Sequence, residues 1–237
     1  MLQMVILSGG LATRLGSLAR HIPKYLIPVK GKPFLEWQIE LLQRAGFEHV
    51  LLLIGHLGKQ IEEYVASRRF SGLEIIFGRE PEGQLLGTGG ALKWSEAKLE
   101  KEFFLMYGDS YLPIDYRRVE KFYFDKGHRP VMTVYRNEGK FDKSNVAIAE
   151  GKVIDYRKSG DLCDFKYIDY GLLVLQRQSL ANHVCGEKFD LMILLQDLIS
   201  RERLLAYEVE QRFYQTGTVS GIKEMEGFLD ETQSTIR

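Results

Sequence analysis

The chain has only two cysteines in 237 residues, Cys163 and Cys185. Neither sits at a CxxC or His spacing that would hold zinc, and nothing requires them to pair, so both are expected as buried or incidental thiols. It also has no charge of one sign to spare: 32 basic residues balance 32 acidic ones. Nucleic-acid and membrane-surface binders normally carry a basic excess, so neither partner is expected. No apolar run approaches the roughly 20 residues that span a bilayer. The first apolar stretch starts at Gln3, too early for a charged leader and cleavage site to precede it, and a cytoplasmic protein is expected. Repeats, linkers and low-complexity tracts are missing, so a single domain over residues 1–230 with a frayed tail at 231–237 is the simplest organisation. Several chemistries are missing as well. There is no GxGxxG fingerprint, no GK[ST] of a P-loop, no GxSxG of a hydrolase and no DxD. The five histidines, at 21, 49, 56, 128 and 183, are scattered without ligand spacing.

What is present is an alternation. The apolar run at 3–8 ends in Gly9-Gly10 and reads as a buried strand entering a glycine-rich loop. From Pro33 to Ala45, Phe34, Trp37, Leu41, Leu42 and Ala45 recur at helical spacing, with Pro at the start and Gly46 at the stop. Strand 49–54, helix 58–69, strand 73–77, helix 89–98 and strand 102–107 follow. Such an alternation predicts βαβ units in an α/β fold, a Rossmann-like, mostly parallel mixed sheet with helices on both faces, three layers in all. The second half reads as more mixed. Helices are expected at 116–127, 189–200 and 219–229, with strands at 130–136, 145–149, 152–157, 167–175 and 204–209, some antiparallel.

The first candidate constellation is Ser8-Gly9-Gly10-Leu11-Ala12-Thr13-Arg14-Leu15, followed by Pro23-Lys24. Glycines after a buried strand let backbone N–H groups approach phosphate oxygens, and Arg14 and Lys24 add fixed positive charge. The loop lies at the carboxyl end of a strand, where open α/β sheets bind ligands. The second candidate is Gly108-Asp109, after the apolar FFLMY; a carboxylate there suits Mg²⁺, which takes one or two carboxylates together with substrate phosphates.

The order GGLATRL, then PKYLIPVKGKPFLEW, then Leu86-Gly87-Thr88-Gly89-Gly90-Ala91, then Gly108-Asp109 resembles the sugar-1-phosphate nucleotidyltransferases, over nearly the whole chain. The LGTGGA segment is similar to that of the heptose-1-phosphate guanylyltransferase and muramate-1-phosphate uridylyltransferase branches. The resemblance implies that an NTP and a sugar 1-phosphate are joined with release of pyrophosphate, with Mg²⁺ as cofactor. It implies Arg14, Lys24 and Asp109 as catalytic residues, Asp109 holding the metal. It places the nucleotide on Ser8, Gly9, Gly10, Thr13, Gln84, Gly87, Thr88 and Gly89, and the acceptor on Tyr107, Gly108, Lys158, Asp169 and Gly171. A monomer or homodimer would suffice. In-line attack on an α-phosphorus needs positioning and charge neutralisation rather than a protein nucleophile, which these residue types supply.

The pattern is not kept throughout. Ala12 stands for the second glycine of the loop, Tyr25 for the proline after the lysine, and Tyr107 for the Asn that usually precedes Gly-Asp. Gln215, in Tyr214-Gln215-Thr216-Gly217-Thr218, stands where the family has its second metal-binding aspartate. The segment 79–84 is about two residues longer than its counterpart. Two other readings follow from these departures. One is a cytidylyltransferase for a non-sugar phosphate or phosphonate, and the other a degenerate paralogue that binds nucleotide without turning it over.

Overall fold

The computed structural model describes residues 1–10, 21–160 and 165–234. Its first half is a run of β-α units: β1 (Gln3–Leu7), a hairpin of β2 (Pro28–Val29) and β3 (Lys32–Pro33), α1 (Phe34–Ala45), β4 (His49–Ile54), α2 (Gly58–Ala66), β5 (Glu74–Arg79), α3 (Gly87–Trp94) and β6 (Glu102–Tyr107). The hairpin was not anticipated; Lys30 and Gly31 both adopt positive φ, which gives a two-residue turn. The boundaries elsewhere follow local chemistry. Pro33 precedes α1, whose Phe34, Leu35, Gln38, Ile39 and Leu42 face inward at helical spacing, and Gly46 ends it in the left-handed conformation at φ 91°.

The second half comprises β7 (Ser110–Tyr111), α4 (Tyr116–Asp125), β8 (Val131–Arg136), β9 (Val146–Ala149), β10 (Lys152–Tyr156), β11 (Tyr167–Gln176), α5 (Leu191–Ser200), β12 (Leu205–Val209), β13 (Tyr214–Gln215) and α6 (Val219–Ser234). Helix α6 runs to Ser234, beyond the expected end at 229. Nine strands form one sheet in the order β5-β4-β1-β6-β11-β8-β12-β10-β9. The four from β5 to β6 are parallel. Beyond them β11 is antiparallel to both neighbours, and β12 is parallel to β8 but antiparallel to β10. The sheet is therefore mixed rather than mostly parallel. The reason is that β8, β9, β10 and β11 are joined without the helical crossovers that parallel pairing requires. Strand β9 also pairs with β11, so β11, β8, β12, β10 and β9 close on themselves in a partial barrel.

Successive residues of β1 serve opposite faces. Met4 and Ile6 join a core with α1, α2, α4 and α6, while Val5 joins one with α3 and α5. The expected three layers are thus present around the parallel half. Helix α5 shows the rule most simply, with Leu191, Leu194, Leu195 and Leu198 all buried at i, i+3, i+4 and i+7. Each such side chain contributes about 1.5–3 kcal/mol. Among the described residues no helix is long and apolar enough to cross a membrane. Cys185 is an exposed free thiol rather than a buried one, and Cys163 lies outside the described residues.

Candidate active site

Strand order fixes where the site must lie. From β1 the chain moves outward to β4 and β5, then returns to the other side of β1 with β6. That reversal opens a crevice at the carboxyl ends of β1 and β6, where open α/β sheets bind ligands. A cleft of about 470 Å³ occupies it. Of the residues anticipated from the sequence, Ser8, Gly9, Gly10, Lys24, Gly87, Thr88, Tyr107, Gly108, Asp109 and Lys158 line it. Thr13 and Arg14 lie outside the described residues.

Gly108 brings the two strand ends together. Its N–H donates to Leu7 O at 3.0 Å, and a Cβ there would stand 2.4 Å from that oxygen. The close approach sets Asp109 beside the Ser8–Gly10 loop. Lys24 Nζ lies 2.5 Å from Asp109 Oδ2, both side chains mostly buried. Tyr25, which replaces the family's proline, holds this lysine in place. Its ring is buried, its hydroxyl donates to Gln38 Oε1, and Gln38 Nε2 donates to Ser110 O at 2.6 Å. The residue after Lys24 and the residue after Asp109 are thereby linked through Gln38, alongside the charge pair itself. Gln215 pairs with Ser110 across β13 and β7, and Thr216 N–H donates to Asp109 O at 2.8 Å.

Four anticipated residues stand back from the cleft. Gln84 is exposed on the 81–84 turn. The N–H groups of Gly89 and Gly90 both donate to Phe189 O at 3.1 Å, so Gly89 packs α3 onto the Phe189 segment instead of facing a ligand. Asp169 is only 6% exposed, with its carboxylate accepting from Tyr107 OH at 2.7 Å and from Gly171 N–H at 3.0 Å. Gly171, at φ 98°, packs over Ser110. Ser8 lines the cleft, but its hydroxyl donates to Leu53 O at 3.0 Å. Thr88 also has a structural duty, since Leu191 N–H donates to its Oγ1 at 2.8 Å.

Four lining or supporting residues escaped the sequence reading. Besides Tyr25 they are Glu80, Tyr156 and Asp190. Glu80 Oε1 accepts from Leu86 N–H at 2.7 Å, and burial raises its pKa against that bond. Its place directly after a parallel strand was a readable signal. Tyr156 lies two residues before Lys158, on the same side of an extended chain. Asp190 caps α5 by accepting from Met192 N–H, and its Oδ1 lies 2.6 Å from Lys158 Nζ. Burial acts to raise the Asp190 pKa, but the bonds from Lys158, Met192 N–H and Thr88 outweigh it and hold the carboxyl below the usual range.

Metal ligation is sparse. Among the described residues no three His, Cys, Asp or Glu side chains gather as a metal site. Asp109, with the neutral Gln215 on the adjoining ladder, fits a hard cation that draws most of its ligands from phosphate oxygens and water, the habit of Mg²⁺.

Fold and cleft together define an α/β protein of the nucleotidyltransferase type. The chain belongs to the MobA-like NTP transferase domain family, whose model matches residues 4–144. It is 37% identical over 119 residues to D-glycero-alpha-D-manno-heptose 1-phosphate guanylyltransferase of Campylobacter jejuni, covering 50% of this chain and 52% of that protein. It is 30% identical over 115 residues to N-acetylmuramate alpha-1-phosphate uridylyltransferase of Neisseria meningitidis, covering 48% and 50%. The match thus spans about half the length of these relatives. Among solved structures, HddC from Yersinia pseudotuberculosis complexed with GMP-PN superposes with a TM-score of 0.81 at 22% identity, over 97% of this chain and 100% of that one. That likeness establishes a shared fold.

Proposed function

We propose that the chain couples an NTP to a sugar 1-phosphate of heptose or hexose type, giving a nucleotide sugar and pyrophosphate. The observation that carries this reading is the Lys24–Asp109 pair, held beside the Ser8–Gly10 loop at the strand reversal. In the reaction an oxygen of the acceptor phosphate forms a bond to the α-phosphorus of the NTP as the bond to the pyrophosphate oxygen breaks, so no protein nucleophile is required. The backbone of Gly9 and Gly10 receives the NTP phosphates. Lys24 neutralises charge that grows on the phosphoryl oxygens, and Lys158, which lines the same cleft, receives the acceptor's phosphate. Asp109 is the residue that would hold Mg²⁺, and the cation, when bound, supplies further charge neutralisation to the phosphates. Arg14 adds a third positive group in the same reading.

The test is pyrophosphate release by the purified protein with Mg²⁺, crossing four NTPs with heptose, mannose, glucose and N-acetylated sugar 1-phosphates. Release that requires one NTP, one acceptor and Asp109 is the expected result. Nucleotide binding with no turnover across the panel would instead indicate a non-sugar acceptor or a regulatory role.

A further inference from the structure

The acceptor side of the cleft departs from the family's pattern in a way the structure makes specific. Where the resemblance led us to expect Asp169 at the acceptor, its carboxylate is withdrawn behind two tyrosines that line the cleft, Tyr107 and Tyr156. The backbone builds this arrangement. The pairing of β11 with β8 shifts register between Asp169 and Leu173, and Gly171 takes φ 98° within the shift. Irregularities of this kind re-aim a side chain next to an active site. Here Gly171 N–H folds back onto Asp169 Oδ1, and Asn145 Oδ1 accepts from Asp169 N–H at 2.9 Å, which fixes the residue from both sides. The Tyr107 hydroxyl lies 2.7 Å from Asp169 Oδ2, and Tyr156 lines the same cleft, near enough for its hydroxyl to feel the charge of that carboxylate. Tyr107 comes from the end of β6 and Tyr156 from the end of β10, so tyrosines from the two halves of the sheet come near one buried carboxylate, which holds Tyr107 directly.

We propose that Tyr107 and Tyr156 form the wall against which the acceptor rests, with Asp169 as the residue that positions Tyr107. The acceptor is then selected by the fit of its ring face against aromatic side chains, not by hydrogen bonds from a carboxylate to its hydroxyls. The proposal rests on the nucleotidyltransferase reading and names how that site chooses its acceptor. A direct consequence follows from how pockets discriminate. A site that hydrogen-bonds a hydroxyl rejects the analogue lacking it by roughly 10⁴-fold or more, whereas an apolar wall discriminates only about 10- to 200-fold. This cleft therefore tolerates loss of a hydroxyl on the side that meets the wall.

The experiment is calorimetric binding of the preferred sugar 1-phosphate and its monodeoxy analogues, without NTP, to the intact protein and to Tyr107→Phe and Tyr107→Asn. In the intact protein at least one deoxy analogue, the one lacking the hydroxyl that meets the wall, is expected to bind within about tenfold of the parent. Tyr107→Phe keeps the ring and loses its tie to Asp169, so any loss of affinity should be shared about equally by the parent and its deoxy analogues. Tyr107→Asn removes the ring and uncovers Asp169, so discrimination at one hydroxyl should rise by about tenfold or more. A Tyr107→Phe loss beyond tenfold for the parent but not for one deoxy analogue would show that the hydroxyl meets the acceptor and would overturn the proposal, even if Tyr107→Asn does not fold. Unchanged discrimination in a folded Tyr107→Asn overturns it alone, leaving the transferase reading intact. No binding of any sugar 1-phosphate by the intact protein overturns both.

Discussion

At the scale of single residues, charge pairs organise the cleft, and they differ in what their removal should do. In the proposed reaction Lys24→Ala takes a cation from the phosphoryl oxygens, and Asp109→Asn takes away the carboxylate paired with it. Loss of one well-placed group of this kind typically costs about 3–4 kcal/mol of transition-state stabilisation. Steady-state kinetics should therefore show kcat/KM lower by a hundredfold or more for each, with the far-ultraviolet spectrum unchanged. Asp190 poses a different question. Its folded pKa lies below that of an ordinary aspartate, about 3.9, so its stabilisation is present above that pH and disappears as pH falls through the lower folded value. Asp190→Asn keeps an equally good helix cap and removes only the charge, and the Lys158 pair it breaks is half-exposed. Urea denaturation should show a deficit of about 0.5 kcal/mol at neutral pH, vanishing near the acid limit. A deficit that persisted there would mean the charge is not its source. Asp109 was legible as a candidate because Gly108-Asp109 follows an apolar strand, and Lys24 because Pro23-Lys24 follows the glycine loop as in the family it resembles. Asp190 was not, because its partner Lys158 is 32 positions away and nothing local advertises the contact.

At the scale of elements, α3 shows how a motif glycine can belong to packing. A Cβ on Gly89 would lie 2.2 Å from Phe189 Cε2, in a ring stacked on His183 with centroids 4.3 Å apart. Gly89→Ala should overpack this contact at about 1–3 kcal/mol. Calorimetry should find a melting temperature lower by about 2–4 °C per kcal/mol, and an unchanged melting temperature would show that the Phe189 segment gives way freely. Periodicity located the six α-helices of the described residues and the long strands, since each carries an apolar face of its own. It did not reveal the hairpin of β2 and β3 or the pairing of β7 with β13. These are two-residue ladders, too short to show a period, and the latter joins segments about a hundred positions apart. The shifted register around Gly171 was equally hidden, because the run YIDYGLLVLQ reads simply as a buried strand.

At the scale of the whole molecule, the open parallel half and the curled half share β6 and β11, which pair over five residues. Phe47, Phe104 and Tyr116 meet edge to face on one side of this sheet, with Phe47 at 5.5 and 5.3 Å from the other two rings. Phe47→Ala should cost about 3–5 kcal/mol. Because the halves share strands, circular dichroism and tryptophan fluorescence should trace one coincident transition for it and for the parent protein. Separated transitions would mean that the halves fold independently. Curling also changes the exposure of the sheet's margins. With β9 paired on both sides, the open margin of the nine strands is β5, and two of its outer carbonyls are already engaged, Phe77 O by Lys98 Nζ and Arg79 O by Trp94 Nε1. A neighbouring chain that approached this border to extend the ladder would have to displace a lysine and an indole. The protein thus carries its own guard against strand-by-strand self-association and fibril growth.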